Sequence, residues 1–200
     1  MAATIETLAH ALDNAPDYSV GTLERILLEN LPSPEEVVAL ADTSMPYGRT
    51  ILRLNDKYEM IIGCWPRNGW CDAHDHGDAE GVVYGCSGEV EHFDYRFNGD
   101  TLELYEQSTI KNGQHMRLPK DMIHSLANVT SDEPYVGLHI YSPAATNVRV
   151  FDTRNGDIYH VTDDAASVVP RDEAQIRMVE RGKFSYRNLV KEQQRQTQEV

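Results

Sequence analysis

A neutral imidazole offers one nitrogen lone pair to a metal, which makes histidine the commonest metal ligand among side chains. His74-Asp75-His76 sets two of the chain's eight His residues two positions apart. On a β-strand, positions i and i+2 share a face, so both rings can grip one ion. Gly77 follows the pair, and the apolar run Gly81-Val82-Val83 comes next. Further along lies Gly113-x5-Pro119-x-Asp121-x2-His124-x3-Asn128. Cys64, Cys71 and Cys86 are odd in number and lack a paired zinc-ribbon spacing. They are expected to be buried or free thiols of a reducing cytoplasm. His10, His92, His115 and His160 fall in no supporting pattern and are expected to be exposed or structural.

The elements that must carry these residues are mostly short strands. Up to about Ser44 the period is helical: Ile5, Leu8 and Leu12 recur at helical spacing, as do Leu23, Ile26, Leu27 and Leu31. Ser33-Pro34-Glu35-Glu36 reads as a capping box with Pro at the first helical position. From Thr50 the pattern becomes β-rich, starting at Ile51–Leu54. Segments follow at 58–65, 81–87, 89–97, 101–110, 113–118, 135–142 and 147–152. Turn signals such as Asn98-Gly99-Asp100 and Asn112-Gly113 separate several of them. Many short strands point to an all-β sandwich or barrel. From about Pro170 the period is ambiguous, and the last ten residues are polar and expected to be mobile.

The Pro119–Asn128 stretch resembles the second signature of the cupin superfamily, with Asp121 where that signature usually has Gly. The His74–His76 segment resembles the first signature, and Glu80 fits its three-residue gap to a Glu. The resemblance implies a mainly β fold: one cupin domain over 1–200. A helical N-terminal segment (1–45), a jelly-roll barrel (46–165) and a C-terminal extension (166–200) would divide it. Within the superfamily, 46–152 is most similar to the bacterial cysteine dioxygenases, thiol dioxygenases with a three-His ferrous site. Tyr47-Gly48-Arg49, Cys64-Trp65, His74-Asp75-His76-Gly77, His124 and Leu138-His139-Ile140-Tyr141-Ser142-Pro143 carry the likeness. It implies Fe(2+) held by His74, His76 and His124. Arg49, assisted by Tyr47, would bind the substrate carboxylate. His139 and Tyr141 would form a hydrogen-bonded pair behind the reacting atoms, and Ser142-Pro143 would be a cis peptide. Glu80 is a further candidate ligand if it turns inward. Gly81 stands where animal members carry a Cys that crosslinks to Tyr, so no crosslink is expected. Gly137 stands where they have Ser, which shortens the hydrogen-bond relay.

Three neutral imidazoles would leave a ferrous ion dicationic, with open positions for a thiolate, an amine and O2. Arginine offers a carboxylate a planar fork that lysine does not reproduce. The expected reaction is L-cysteine plus O2 giving cysteine sulfinate. The same chemistry on 3-mercaptopropionate or another mercapto acid is an alternative, although related mercaptopropionate enzymes usually carry Gln where this chain has Arg49. A non-oxygenase metal-binding cupin, either an isomerase or a ligand-binding module, is a second alternative that Glu80 would support. A thiol oxidase acting on a peptide N-terminal Cys is a weaker third.

Composition narrows the setting. Apolar residues make up 40% and charged residues 25%, ordinary for a soluble globular protein. The net charge of −14 disfavours nucleic-acid and membrane-surface partners. Residues 171–200 hold 7 basic and 5 acidic side chains, so the acid is concentrated in 1–170. The opening MAATIETLAH lacks the features of a secretory signal, and no apolar run reaches 18 residues. A cytoplasmic monomer acting on a small thiol and O2 is expected.

Overall fold

Among the described residues, three short helices precede thirteen strands. The computed structural model describes residues 3–165 and 167–191. The helices are α1 (Ile5–Asp13), α2 (Val20–Glu29) and α3 (Pro34–Ala39). The first nine strands are β1 (Gly48–Leu54), β2 (Glu59–Trp65), β3 (Ala73–His74), β4 (Glu80–Ser87), β5 (Glu89–Phe97), β6 (Thr101–Lys111), β7 (His115–Leu118), β8 (Ile123–Ala127) and β9 (Tyr135–Ser142). Then come β10 (Arg149–Asp152), β11 (Asp157–Val161), β12 (Ile176–Glu180) and β13 (Ser185–Asn188). They form two sheets, ordered β1-β2-β9-β4-β7 and β12-β11-β10-β3-β8-β5-β6-β13. The architecture is mainly β, two curled sheets with helices at its N-terminal side.

Burial explains which strands lie where. Every residue of β2 and β9 is buried, because β9 lies between β2 and β4 and the helices cover one face. Leu8, Leu12, Leu23 and Leu27 pack in one core with Tyr58, Met60, Ile62, Leu138 and Ile140. The helical cover is therefore continuous with the sheet that carries β9. In contrast, β5 alternates, with Val90, His92 and Asp94 inward.

Local chemistry at the helix ends departs from the sequence reading in two places. Ser33 Oγ accepts from the Glu36 N–H at 3.2 Å, as a capping box requires. The return half is missing: Glu36 Oε1 accepts from the Ile5 N–H at 3.2 Å instead. The N-terminal N–H groups of a helix have no partner within it, so Glu36 satisfies α1 and ties α3 to it. Likewise Glu80 Oε1 accepts from the Val20 N–H at 2.9 Å, at the start of α2. A carboxylate is favourable there because the helix dipole is positive at that end.

The ambiguous stretch from Pro170 supplies two strands. β12 pairs antiparallel with β11, and β13 pairs parallel with β6, so both outer edges of the eight-stranded sheet come from it. Most of the polar final ten residues lies outside the described residues. No helix among the described residues is long and apolar enough to cross a membrane.

Shared burial of helices and sheet makes a direct prediction. Leu12→Ala should lower the unfolding free energy by about 2–5 kcal/mol, the usual cost of a large-to-small core substitution. Urea denaturation measures it, and a loss below about 1 kcal/mol would show that α1 is not part of this core.

Candidate metal centre

The two His-bearing segments meet because β3 and β8 are antiparallel partners in register, His74 opposite His124. β3 covers only Ala73–His74, so His76 lies beyond the strand rather than on it. Alternation persists all the same, because Asp75 is held to the other side. Its Oδ2 accepts from Arg149 Nε at 2.6 Å and its Oδ1 accepts from the Arg149 backbone N–H at 2.9 Å. Gly77 then turns at φ +61°, and a Cβ there would stand 1.9 Å from the Thr146 carbonyl oxygen, which no other residue type could tolerate.

The result is a cluster of His74, His76 and His124 whose candidate ligand nitrogens all lie within 4.8 Å of one another. Ring centroids are 4.8–5.0 Å apart. All three are buried. Burial disfavours the charged form, pushing His74 down to about 4 and His76 and His124 well below the ordinary histidine range. Neutral rings are the form that binds a metal.

Hydrogen bonds orient two of the rings. His74 Nδ1 lies 2.9 Å from the Asp72 carbonyl oxygen and can only donate to it. That leaves Nε2 with its lone pair free. His124 Nδ1 lies 2.9 Å from His92 Nε2. With its proton on Nδ1, His124 keeps a lone pair on Nε2, a buried atom with no hydrogen-bond partner. An orphaned acceptor directed among two other imidazoles is what a metal would satisfy, so the donor set fits a cation that accepts nitrogen ligands. His92 was not expected here. It is fully buried, and its Nδ1 sits 3.3 Å from Asp94 Oδ2, close but misaligned for a hydrogen bond. The signal was the inward face of β5, which places His92 between Val90 and Asp94.

The other residues singled out by sequence fall around the same cavity, with one exception. Tyr47, Arg49, His139 and Tyr141 line it together with the three His. Tyr47 stacks on Trp65 with centroids 5.1 Å apart, and its hydroxyl oxygen accepts from the Ser167 N–H at 2.7 Å. His139 and Tyr141 sit on one face of β9, with His139 Nδ1 3.0 Å from the Tyr141 hydroxyl. Burial holds His139 neutral, down to about 3, and raises Tyr141 well above its usual value. Tyr141 also stacks on His76, with centroids 4.7 Å apart.

Glu80 is the exception: it caps α2 and is absent from the cavity lining. That corrects its candidacy as a ligand. Its partner, the Val20 N–H, is 60 residues away in sequence and invisible to a motif spacing.

Other departures resolve structurally. A Cβ on Gly81 would lie 2.7 Å from Tyr141 Cδ1, so this position abuts the ring and carries no thiol. A Cβ on Gly137 would lie 2.9 Å from His139 Nε2, which has no hydroxyl partner there. Asp121 takes φ +66°, the conformation that favours glycine at that turn and that Asp tolerates better than most residues. The Ser142–Pro143 peptide is cis. Burial pushes the Cys64 and Cys86 thiols up to about 11 and Cys71 to about 12, so all three stay protonated and unreactive at neutral pH. Glu59, which sequence reasoning passed over, lines the cavity and is ion-paired with Arg49.

Comparison with known proteins places the chain in a family. A family model described as "Cysteine dioxygenase type I" matches residues 27–154. A cysteine dioxygenase type 1 of Danio rerio is 26% identical over 159 residues, 76% of this chain and 79% of the relative. The Rattus norvegicus protein of the same name is 25% identical over 162 residues, 78% of this chain and 80% of the relative. Among solved structures, a double-stranded β-helix domain protein of Klebsiella pneumoniae aligns at 15% identity with a TM-score of 0.49. That alignment covers 58% of this chain and 94% of its own.

Depressed histidine values make stability pH-dependent. Below about pH 6.5 the unfolded chain binds protons that the buried rings refuse. Stability is therefore full above that pH and falls as pH drops toward the folded-state value of about 4 for His74. The His74 share of that loss between pH 7 and pH 4.5 should be about 2–3 kcal/mol, or roughly 5–10 °C of melting temperature in metal-free protein. Thermal scans of His74→Gln should show a shallower fall, and identical slopes would mean that His74 is not held neutral.

Proposed function

The chain belongs to the cysteine dioxygenase type I family, and from that premise we propose that it converts L-cysteine and O2 to cysteine sulfinate at Fe(2+) held by His74, His76 and His124. The enzyme class, a thiol dioxygenase dependent on a metal, follows from the family. The observation that carries the finer reading is one cavity containing both a three-imidazole cluster and an arginine.

A bound ferrous ion supplies Lewis acidity toward a thiolate and one-electron chemistry toward O2. The chain's own groups supply the rest. Neutral imidazoles add no negative charge, so an anionic thiolate is welcome at the centre. Arg49 directs one Nη2 bond to Glu59 and retains other N–H donors for a substrate carboxylate. Trp65, stacked between Tyr47 and His139, forms an apolar wall that excludes water. The His139–Tyr141 pair holds a proton in a defined place. With both groups neutral, His139 Nδ1–H donating to the Tyr141 oxygen leaves the Tyr141 O–H free to donate to a reacting atom. That arrangement leaves His139 Nε2 as an orphaned acceptor, which is less costly than an orphaned N–H. The Glu80 feature that would have favoured an isomerase is engaged elsewhere.

Oxygen uptake by ferrous-loaded protein tests the reading. Uptake with L-cysteine should match sulfinate formed, and His124→Ala should reduce it to background. No uptake with any small thiol would overturn the dioxygenase reading. Faster turnover of 3-mercaptopropionate than of cysteine would overturn the substrate.

The His92 contact yields a separate outcome. Removing the partner that orients a ligating histidine typically costs 10–100-fold in metal affinity. His92→Phe should weaken iron binding by about that factor in a chelator competition, with the fold retained by circular dichroism. Unchanged affinity would show that His92 does not orient His124.

A further inference from the structure

The cavity contains a buried carboxylate for which the reaction described so far has no use. Glu59 opens β2, lies opposite Tyr141 across the β2–β9 ladder and lines the cavity beside Arg49. Its side chain is only 2% exposed. Oε1 accepts from Arg49 Nη2. Oε2 has one long contact, from the Ala145 N–H at 3.4 Å. A carboxylate has about four acceptor sites, so Oε2 retains capacity.

Two consequences follow. Arg49 and Glu59 together are neutral, so this cavity lacks the uncompensated cation that an anion-only substrate would seek. The pair also presents a donor fork and an acceptor side by side, which matches a molecule carrying a carboxylate and an amine on neighbouring atoms. We infer that Glu59 is the specificity residue that makes this cavity a receptor for thiols bearing an amino group next to the carboxylate. The amine N–H donates to Glu59 Oε2 while the carboxylate takes the remaining Arg49 N–H groups. This rests on the thiol dioxygenase reading above. An amine donates whether or not it carries its extra proton, so the contact does not depend on its charge state. A mercapto acid without the amine leaves Oε2 with only its long contact from the Ala145 N–H. Sites built around such a hydrogen bond reject the analogue that lacks it. A buried acceptor left unsatisfied corresponds to about ten- to a hundredfold in affinity.

The test is equilibrium binding to the ferrous holoprotein under argon, where no turnover occurs, by titration calorimetry with L-cysteine and with 3-mercaptopropionate. Wild-type protein should bind cysteine at least tenfold tighter. Glu59→Gln presents an amide that can donate, so 3-mercaptopropionate should tighten, cysteine should weaken, and the ratio should fall at least tenfold. A wild-type ratio within twofold of unity overturns the inference. So does a Glu59→Gln ratio equal to the wild-type one, including the case where both ligands weaken together because Arg49 has merely lost its support. If Glu59→Gln does not fold, Glu59→Asp answers the same question by withdrawing the carboxylate one methylene. Its ratio must fall severalfold, and an unchanged ratio overturns the inference. Selective binding without oxygen uptake would separate failure of the dioxygenase reading from failure of this one.

Discussion

Three imidazoles can share one small buried space only while they are uncharged. Two unit charges at 4.8 Å would repel by about 3 kcal/mol at an effective dielectric near 20. Burial lowers all three below the ordinary histidine range, so each ring keeps a lone pair for a cation. Much of the nearby structure serves that condition. The β3–β8 register sets His74 against His124. Asp75, held outward by Arg149, sends His76 inward without a regular strand beneath it. Asp72 and His92 take up the outer nitrogens of two rings and leave the inner ones free.

The parts of this arrangement legible in the sequence are those encoded by local spacing. His74-x-His76, His139-x-Tyr141 and the turn leading to His124 each depend on period-2 geometry or on a short loop. Alternation found β5, and continuous apolar runs found β2 and β9. β8 was harder, because five residues enclosing His124 and Ser125 carry too little apolar pattern to stand out. β12 and β13 are half-exposed edge strands: β12 pairs with the strand just before it, across an irregular connection, and β13 pairs with β6, 84 residues back. Their existence depends on pairing that periodicity does not record.

Glu80 and Glu59 show the same limit from opposite sides. Both are acids at the first position of a strand. Spacing nominated Glu80, yet its carboxylate accepts from the Val20 N–H at the start of α2, where an unpaired helix N–H and the positive dipole end favour a carboxylate. Spacing was silent on Glu59. The available warning was compositional: one acid in the otherwise apolar run Tyr58–Trp65, and acids are almost never fully buried without a partner.

That partner alters the meaning of an arginine in an acidic chain. With −14 overall, a lone guanidinium on the cavity wall would be the local attraction for an anion. Paired with Glu59, it contributes direction rather than net charge. Stability does not account for the pair, since a buried ion pair is often no more stable than apolar residues of equal volume. Its geometry matters because Arg49 leaves donors unspent and Glu59 leaves an acceptor unspent, both on one cavity wall. A metal held by the three imidazoles would then supply the positive charge available to a thiolate. On the proposed function, sulfur would be drawn to one end of the cavity, while the Arg49–Glu59 pair would fix which way round the remainder of the molecule lies.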